Sequence, residues 1–312
     1  SLNYDGSRLA ICGWQYNSYN GYVEIYDLIN DSIWSKIKQF DGVNSEHLAS
    51  IDLDSTGNTI VIGSTAYDHP VLQNCGRVRV FKYDGALWNM IGNQIIGNNS
   101  GSSIGEYVSI DNSGEIIVFS EYNGNYRDVK VHNLQSNNWN LSYTISQNYI
   151  ADIDVSDDGK SIIIGDSNSD NFKVFKNIGF NNWIQQGQTV NYFDSIRGWD
   201  VSINSKANMV AASLKYYDGF ALFTYNVLND QWEFSEKINP PNALQHTTNL
   251  DFSTSTSNLV IAQGYHYDNG GSFASGTVKT FDINFACNET GCTDPSAINY
   301  DYSAIYDNSS CV

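Results

Sequence analysis

Residues 49–63 read ASIDLDSTGNTIVIG, residues 76–88 GRVRVFKYDGALW and residues 89–95 NMIGNQI. The first run alternates polar and apolar residues, stops at a polar turn and resumes as an almost wholly apolar segment. A glycine at such a turn supplies the positive φ of a tight hairpin. The apolar half fits a strand buried on both faces, and RVRVF alternates with period two, as a half-buried strand does. Trp88 then opens a fourth short strand as a large apolar anchor near the sheet edge.

The same unit recurs. Repeat one runs from SLNYDGSRLAICG (1–13) through GYVEIYD (21–27) to WSKIKQF (34–40), and repeat three from VSIDNSGEIIVFS (108–120) to WNLSYTI (139–145). Repeat four has ADIDVSDDGKSIIIG (151–165) and WIQQGQTV (183–190), and repeat five VSINSKANMVAAS (201–213) and WEFSEKI (232–238). Repeat six has LDFSTSTSNLVIAQG (250–264) and GTVKTFDI (276–283) but no Trp strand. Gly6, Gly57, Gly114 and Gly159 mark a period of 45 to 57 residues; Trp34, Trp88, Trp139, Trp183 and Trp232 independently mark one of 44 to 54. Four short strands at such a period predict an all-β, six-bladed β-propeller of four-stranded blades, or seven-bladed if one precedes Ser1. The expected blades are 1–47, 48–106, 107–148, 149–198, 199–248 and 249–286, with 287–312 a small separate module. Ser1 falls inside a repeat strand, so a strand from upstream is expected to complete blade six; a three-stranded last blade, or pairing by 283–286, is the alternative.

The composition agrees with β structure: 21 Tyr, 14 Phe and 7 Trp, with no amphipathic helical run. A net charge of −18 with only 16 basic residues argues against a nucleic-acid partner, whose phosphates require Lys and Arg. No apolar stretch reaches the roughly 18 residues that suggest a membrane-spanning helix, so no membrane insertion is expected.

Chemistry is harder to find. The loops between second and third strands are rich in Tyr, which offers flat apolar area with a hydroxyl handle to a glycan or protein. The candidate ligand-binding residues are Tyr16, Tyr19, Tyr67, His69, Tyr122, Tyr126, Tyr216, Tyr217, Tyr265, His266 and Tyr267. His47, His69, His132, His246 and His266 sit near no nucleophile motif, the sialidase arginine triad has no counterpart, and no catalytic residue is assigned. Asp154, Ser156, Asp158 and Gly159 partly imitate a calcium loop, but Ile162 and Gly165 stand where its later ligands belong, so a hairpin is the better reading. Cys12 and Cys75 fall at the same rim of adjacent blades: a disulfide and two free thiols both remain open, and Cys287 would be left over.

The repeats resemble a family common in secreted proteins of marine bacteria, algae and their viruses, related to the FG-GAP repeats of integrin-type propellers. Blade two carries the pattern best, in WNMIGNQIIG (88–97) followed by EYVSIDNSGEIIVFS (106–120). The tail, GCTDPSAINYDYSAIYDNSSC (291–311), resembles a Cys-bounded module found on surface proteins of the same organisms, with Ser309 where that module often has Gly. This resemblance implies secretion and display without enzyme activity, and a pairing of Cys292 with Cys311, since so short a segment needs a staple. Asp294, Asn299, Asp301 and Asp307 are the candidate Ca²⁺ ligands in that module; no other cofactor is expected. Asn30, Asn98, Asn140, Asn288 and Asn308 lie in glycosylation sequons, no more than chance supplies. The expectation is a non-enzymatic extracellular protein on a cell or virion surface. It would be a binding or adhesion module acting on a surface glycan or protein through the Tyr-rich face. The alternative is a structural subunit of a filament, appendage or virion fibre that assembles with copies of itself or another subunit. A propeller glycosidase or lyase stands third, because it would need acids clustered in the central channel.

Overall fold

The computed structural model describes residues 1–13, 19–30, 32–166, 168–191, 196–214, 219–238, 247–254, 259–265, 277–283, 290–292, 297–298, 306–307 and 310–312, with backbone alone for 196–199 and for the strands after residue 246. The chain is an all-β propeller. Blade one holds β1 (Arg8–Gly13), β2 (Tyr22–Ile29) and β3 (Ile33–Asp41), its innermost strand reduced to a bridge between Leu2 and Leu9. Blade two holds β4 (Leu48–Leu53), β5 (Thr59–Ser64), β6 (Arg77–Tyr83), and an outer strand broken into β7 (Trp88–Met90) and β8 (Ile95–Ile96), both paired with β6. Blade three is β9 (Val108–Ile110), β10 (Ile116–Tyr122), β11 (Arg127–Gln135) and β12 (Asn138–Gln147). Blade four is β13 (Asp152–Val155), β14 (Ser161–Asp166), β15 (Asn171–Asn177) and β16 (Trp183–Val190). Blade five is β17 (Ile196–Ile203), β18 (Met209–Leu214), β19 (Phe220–Asn226) and β20 (Gln231–Ile238). Blade six contributes β21 (Thr247–Thr254), β22 (Leu259–Tyr265) and β23 (Thr277–Ile283). In the tail β24 (Thr290–Gly291) pairs in parallel with β25 (Tyr306–Asp307), and Cys292 is joined to Cys311, with a Cα separation of 4.7 Å.

The first hairpin of each of blades one to five is closed by one device. A polar side chain ending the inner strand accepts the backbone N–H five residues on: Asn3 from Arg8 at 2.8 Å, Asp54 from Thr59 at 3.0 Å, Asp111 from Ile116 at 2.8 Å, Ser156 from Ser161 at 3.0 Å and Asn204 from Met209 at 2.9 Å. The turn needs a left-handed residue, which is Gly57 (φ 68°) in blade two and Ala207 (φ 53°) in blade five. In blade four this makes the Asp154–Gly159 stretch a hairpin: Asp158 accepts the Ser156 hydroxyl at 2.8 Å and the Lys160 N–H at 2.9 Å, while Asp154 faces the other way.

The apolar second strands of blades two to five are largely buried, as in β5 and β18, and they form separate cores between successive blades. Leu48, Ile60 and Ile62 of blade two meet Ala10, Val23 and Ile25 of blade one. Val118, Val129 and Ile145 of blade three meet Ile153, Ile162 and Ile164 of blade four.

The outer strands interlock in two ways. Trp139 of blade three and Trp232 of blade five are buried, each under the outer strand of the blade before it. The Trp139 indole N–H donates to the Ile91 carbonyl at 3.1 Å, and that of Trp232 to the Gln186 carbonyl at 3.0 Å. In both places the next residue is a left-handed glycine, Gly92 (φ 68°) or Gly187 (φ 70°), lying flat on the indole: an added Cβ would come within 2.6 Å and 2.8 Å of the ring. The residue after the glycine, Asn93 or Gln188, accepts the Trp backbone N–H at 2.8 Å or 2.9 Å, while Asn137 or Asp230 accepts the glycine N–H at 3.1 Å or 3.0 Å. Blades two and four lack this arrangement. The fourth residue after Trp34 is Lys38 and after Trp139 is Tyr143, and the buried indole N–H groups of Trp88 and Trp183 have no partner among the described residues.

Cys12 and Cys75 are both free thiols, which closes the question their positions raised. Cys12 donates to the Ala49 carbonyl at 3.6 Å, on the side of blade two that meets blade one. Cys75 donates to the Tyr67 carbonyl at 3.3 Å, and its own carbonyl accepts the Ile104 N–H on the side towards blade three. Blade two itself stands between them.

Candidate functional site

The inner strands line a central channel, and their polar side chains form a belt that passes from blade to blade. Ser1 donates to Asp52 at 2.8 Å; Ser109 donates to Asp52 at 3.1 Å and to Asp154 at 3.0 Å; Ser202 donates to Asp154 at 2.8 Å. Backbone N–H groups of the neighbouring blade complete the shells, from Ile110 to Asp52 at 3.0 Å and from Ile203 to Asp154 at 2.9 Å. Serine and aspartate therefore alternate through five blades. Asp251 holds the same register on β21, opposite Ala262 as Asp154 is opposite Ile163. Burial, and secondarily the Asp52 charge, pushes the Asp154 carboxyl up to about 6; burial also raises Asp52. One step higher in the channel, burial and then the nearby Asp200 raise Asp152 well above the ordinary carboxylate range. The carboxylates of Asp52 and Asp154 are thus buried and held by serine hydroxyls and backbone N–H groups of the neighbouring blades.

A depression of about 540 Å³ opens on the face where the inner strands begin, between blades two and three. Its wall takes His47 and Ala49 from the entry to β4, Thr65 from the end of β5, and Ser103 and Glu106 from the connection into β9. Tyr122 ends β10 and Arg127 begins β11. Arg127 is ion-paired with Glu106 and lies 5.3 Å from the centre of the Tyr149 ring. Behind this pair, burial and then the Glu106 charge hold the Tyr107 phenol well above its usual range.

The segment carrying His47 is held in unusual backbone geometry. Asn44, Ser45 and His47 all have positive φ, at 54°, 56° and 51°, and Ser103 across the depression has φ 44°. Left-handed conformations are uncommon for such residues and persist where the surroundings over-determine them. Here the anchor is Glu46, only 1% exposed, which accepts from Arg77 and Arg79, each at 2.6 Å, and from Ser64 at 2.9 Å. That buried cluster fixes the residue next to His47, and the His47 carbonyl accepts the Thr65 N–H at 3.3 Å.

Among the described aromatic candidates, Tyr122 alone lines this depression; its hydroxyl donates to the Gly124 carbonyl at 2.8 Å. Tyr19, half exposed and left-handed, stands 5.6 Å from the His47 ring. Tyr67 lies under the Arg77 guanidinium at 4.2 Å, His69 bridges to Leu72, and Tyr126 is exposed. Tyr16, Tyr216, Tyr217, His266 and Tyr267 lie outside the described residues, and Tyr265 is described by its backbone alone. The tail residues Asp294, Asn299 and Asp301 are also outside them, and only the backbone of Asp307 is described. Asn30, Asn98 and Asn140 are exposed; Asn288, Asn308 and Cys287 lie outside the described residues. Sequence reading missed His47, Glu106 and Arg127. The available signal was positional: two of the chain's five arginines, Arg77 and Arg127, open third strands at this rim, each paired with a glutamate that precedes an inner strand.

No protein-family model matches the sequence, and comparison with curated proteins gives no match. Solved structures do match. A periplasmic gluconolactonase of Pseudomonas aeruginosa is similar over 89% of this chain and 79% of its own, with a TM-score of 0.60 and 12% identity. A Bacteroides uniformis protein provisionally assigned as a 6-phosphogluconolactonase is similar over 88% and 82%, with a TM-score of 0.57 and 12% identity. The β-propeller domain of Cps50 (Swd1) from Myceliophteria thermophila is similar over 91% and 96%, with a TM-score of 0.54 and 8% identity. At such identities the shared property is the fold. These likenesses nevertheless overturn the expectation of a non-enzymatic adhesion or structural protein, because propellers of this shape include named lactonases. The physical reason is that the polar side chains of the depression come from separate loops, so the lack of a linear catalytic motif excluded nothing. The disulfide fits a protein made for an oxidising, exported setting.

Proposed function

We propose that the chain is a hydrolase of a small neutral cyclic ester, such as a sugar lactone, acting in the depression between blades two and three. The observation that carries this reading is the grouping of an imidazole, a carboxylate and a guanidinium around one open, partly polar hollow. In lactone hydrolysis, water adds to the ring carbonyl and gives up a proton, negative charge gathers on the carbonyl oxygen, and the ring C–O bond breaks. The products are a hydroxyl and a carboxylic acid, which ionises at neutral pH. His47 is the group suited to accept the proton. Arg127 is the donor for the oxyanion, and Glu106 orients its guanidinium. Arg127 is already paired with one carboxylate and among the described residues no other Lys or Arg lines the hollow, which favours a neutral lactone over a phosphorylated one.

The test is acid release from δ-gluconolactone and a small panel of neutral lactones, followed by indicator dye against the spontaneous rate. The expected result is acceleration by the native chain, lost by about 10²- to 10³-fold in Arg127→Gln and by about 10²-fold in His47→Gln. No acceleration of any lactone, or full activity in both variants, would overturn the proposal. The family resemblance and the tail support export to a cell or virion surface; the substrate would then be a soluble or surface-derived carbohydrate.

A further inference from the structure

Asparagine precedes glycine at residues 20–21, 123–124 and 269–270, and the last pair lies outside the described residues. In such a pair the glycine backbone nitrogen can add to the amide carbon of the asparagine side chain, because no Cβ on the glycine blocks the approach. The two described pairs stand in opposite surroundings. Asn20–Gly21 is clamped where blade one meets blade two. The Asn20 carbonyl accepts the Leu48 N–H at 3.3 Å, its side-chain oxygen accepts the Ser45 N–H at 2.6 Å, and the Gly21 carbonyl accepts the Gly42 N–H at 3.0 Å. A Cβ added to Gly21 would stand 2.7 Å from the Leu48 nitrogen, so this peptide has no room to turn.

Asn123–Gly124 sits at the exposed tip of the hairpin between β10 and β11. Gly124 has φ 92°, and an added Cβ there would meet nothing within 4 Å. Among the described residues neither the Asn123 carbonyl nor the Gly124 N–H has a backbone partner. The Asn123 side-chain oxygen accepts the Tyr126 N–H at 3.0 Å and the Asn125 N–H at 3.4 Å. These bonds fold the side chain over the turn, beside the Gly124 nitrogen. They also set donors on the oxygen that takes up negative charge when that nitrogen adds. Asp84–Gly85, at the tip between β6 and β7, is as open, with φ 99° and nothing within 4 Å of an added Cβ. Its electrophile is the wrong one. The N–H groups of Leu87 and then Ala86 hold the Asp84 carboxyl below the ordinary carboxylate range, and an ionised carboxylate resists nucleophilic addition.

We propose that Asn123 is a self-modification site, deamidated by its own backbone while Asn20 is preserved by packing. The Gly124 nitrogen bonds to the amide carbon of Asn123, and the side-chain nitrogen leaves as ammonia, taking the proton of the Gly124 N–H. The product is a cyclic imide. Water then opens one of its two ring C–N bonds and leaves aspartate or isoaspartate. Either product adds a carboxylate, and isoaspartate also adds a methylene to the backbone between Tyr122 and Arg127, two residues that line the hollow.

The test is incubation of the full folded chain in mildly alkaline buffer made with heavy-oxygen water, followed by proteolysis and fragmentation mass spectrometry. The label enters only where water has opened an imide, so each asparagine is read separately and no catalytic activity is needed. Conversion at Asn123 should outpace that at Asn20 by at least about tenfold, a modest share of what preorganised donors at a developing charge supply. Isoaspartate should appear among the Asn123 products, and Gly124→Ala, which meets open space, should suppress them. Equal rates at Asn20 and Asn123 would overturn the proposal. So would conversion at Asn123 only after unfolding in urea, or conversion undiminished in Gly124→Ala, because the hairpin would then not be the agent.

Discussion

The junctions between blades two and three and between blades four and five differ from those between one and two and between three and four, although each receives a tryptophan from the same place in the repeat. At the first pair, a glycine lets backbone lie directly on the indole and a carbonyl meets its N–H. At the second, side chains do the covering. Trp183 packs with Tyr143 and Phe175, and Trp88 stacks on Tyr83 at 5.4 Å and meets Phe40 edge-on at 6.4 Å. Both arrangements cover the ring, although Trp88 stays partly exposed, but the second strands a buried N–H, which costs on the order of 1–3 kcal/mol. Apolar burial is thus the common requirement, and the hydrogen bond is a refinement that only a glycine in left-handed backbone permits here.

The comparison can be broken most forcefully at Trp232. Trp232→Ala should lower unfolding free energy by about 3–5 kcal/mol, read from the urea midpoint, and Trp183→Ala by less; equal losses would mean the glycine junction adds nothing beyond burial. A second contrast isolates the glycine. Gly187→Ala meets both left-handed strain and the Trp232 ring, and should cost about 3 kcal/mol, whereas Gly179→Ala, with φ 109° and open space around it, should cost about 1–2 kcal/mol for the backbone alone. Matching costs would show that the ring yields freely. Trp232→Phe leaves the Gln186 carbonyl without its donor, while Trp183→Phe removes an unpaired group. The first should be worse by about 1–2 kcal/mol in calorimetry, and a reversed order would remove the hydrogen bond from the account.

The smallest effect concerns pH, through the channel belt that shares the same two-blade period. Asp154 titrates near 6 in the fold against 3.8 when unfolded, so between those values the native state holds more protons and stability falls as pH rises. Burial pushes His132 the other way, down to about 4, so its contribution grows as pH rises from 4 to 6.5. In His132→Gln the melting temperature should therefore be about 2 °C higher at pH 5 than at pH 7.5. A flat or opposite trend there would show that the belt carboxylates are not strained by burial.

Most of the fold was legible because its two markers, the hairpin turn and the Trp, are local and repeat in step. The purpose of the Trp was not, since its partner glycine lies a whole blade earlier: Gly92 serves Trp139 and Gly187 serves Trp232. Ser1, Asp52, Ser109, Asp154 and Ser202 were in plain view as a series, but alternation has meaning only once the blades stand side by side around a channel. The depression was least legible. His47, Glu106 and Arg127 come from three separate connections, and nothing local to any of them announces the others. The Tyr-rich loops drew notice by composition, which does not say where a ring points, and among the described residues Tyr122 is the one that reaches the hollow.

The belt also bears on how a chain like this can gain or lose copies of its repeat. Each aspartate in it is flanked by serines that donate to it, Asp52 by Ser1 and Ser109 and Asp154 by Ser109 and Ser202. A recombination event that deleted blade three would bring Asp52 and Asp154 together with no hydroxyl between them, and two desolvated carboxylates side by side resist ionising together. Deleting blades three and four together would leave Ser202 to follow Asp52 and keep the sequence of donors and acceptors unbroken. By this chemistry a pair of blades, and not a single blade, is the piece whose removal leaves the described belt with a donor for every acceptor.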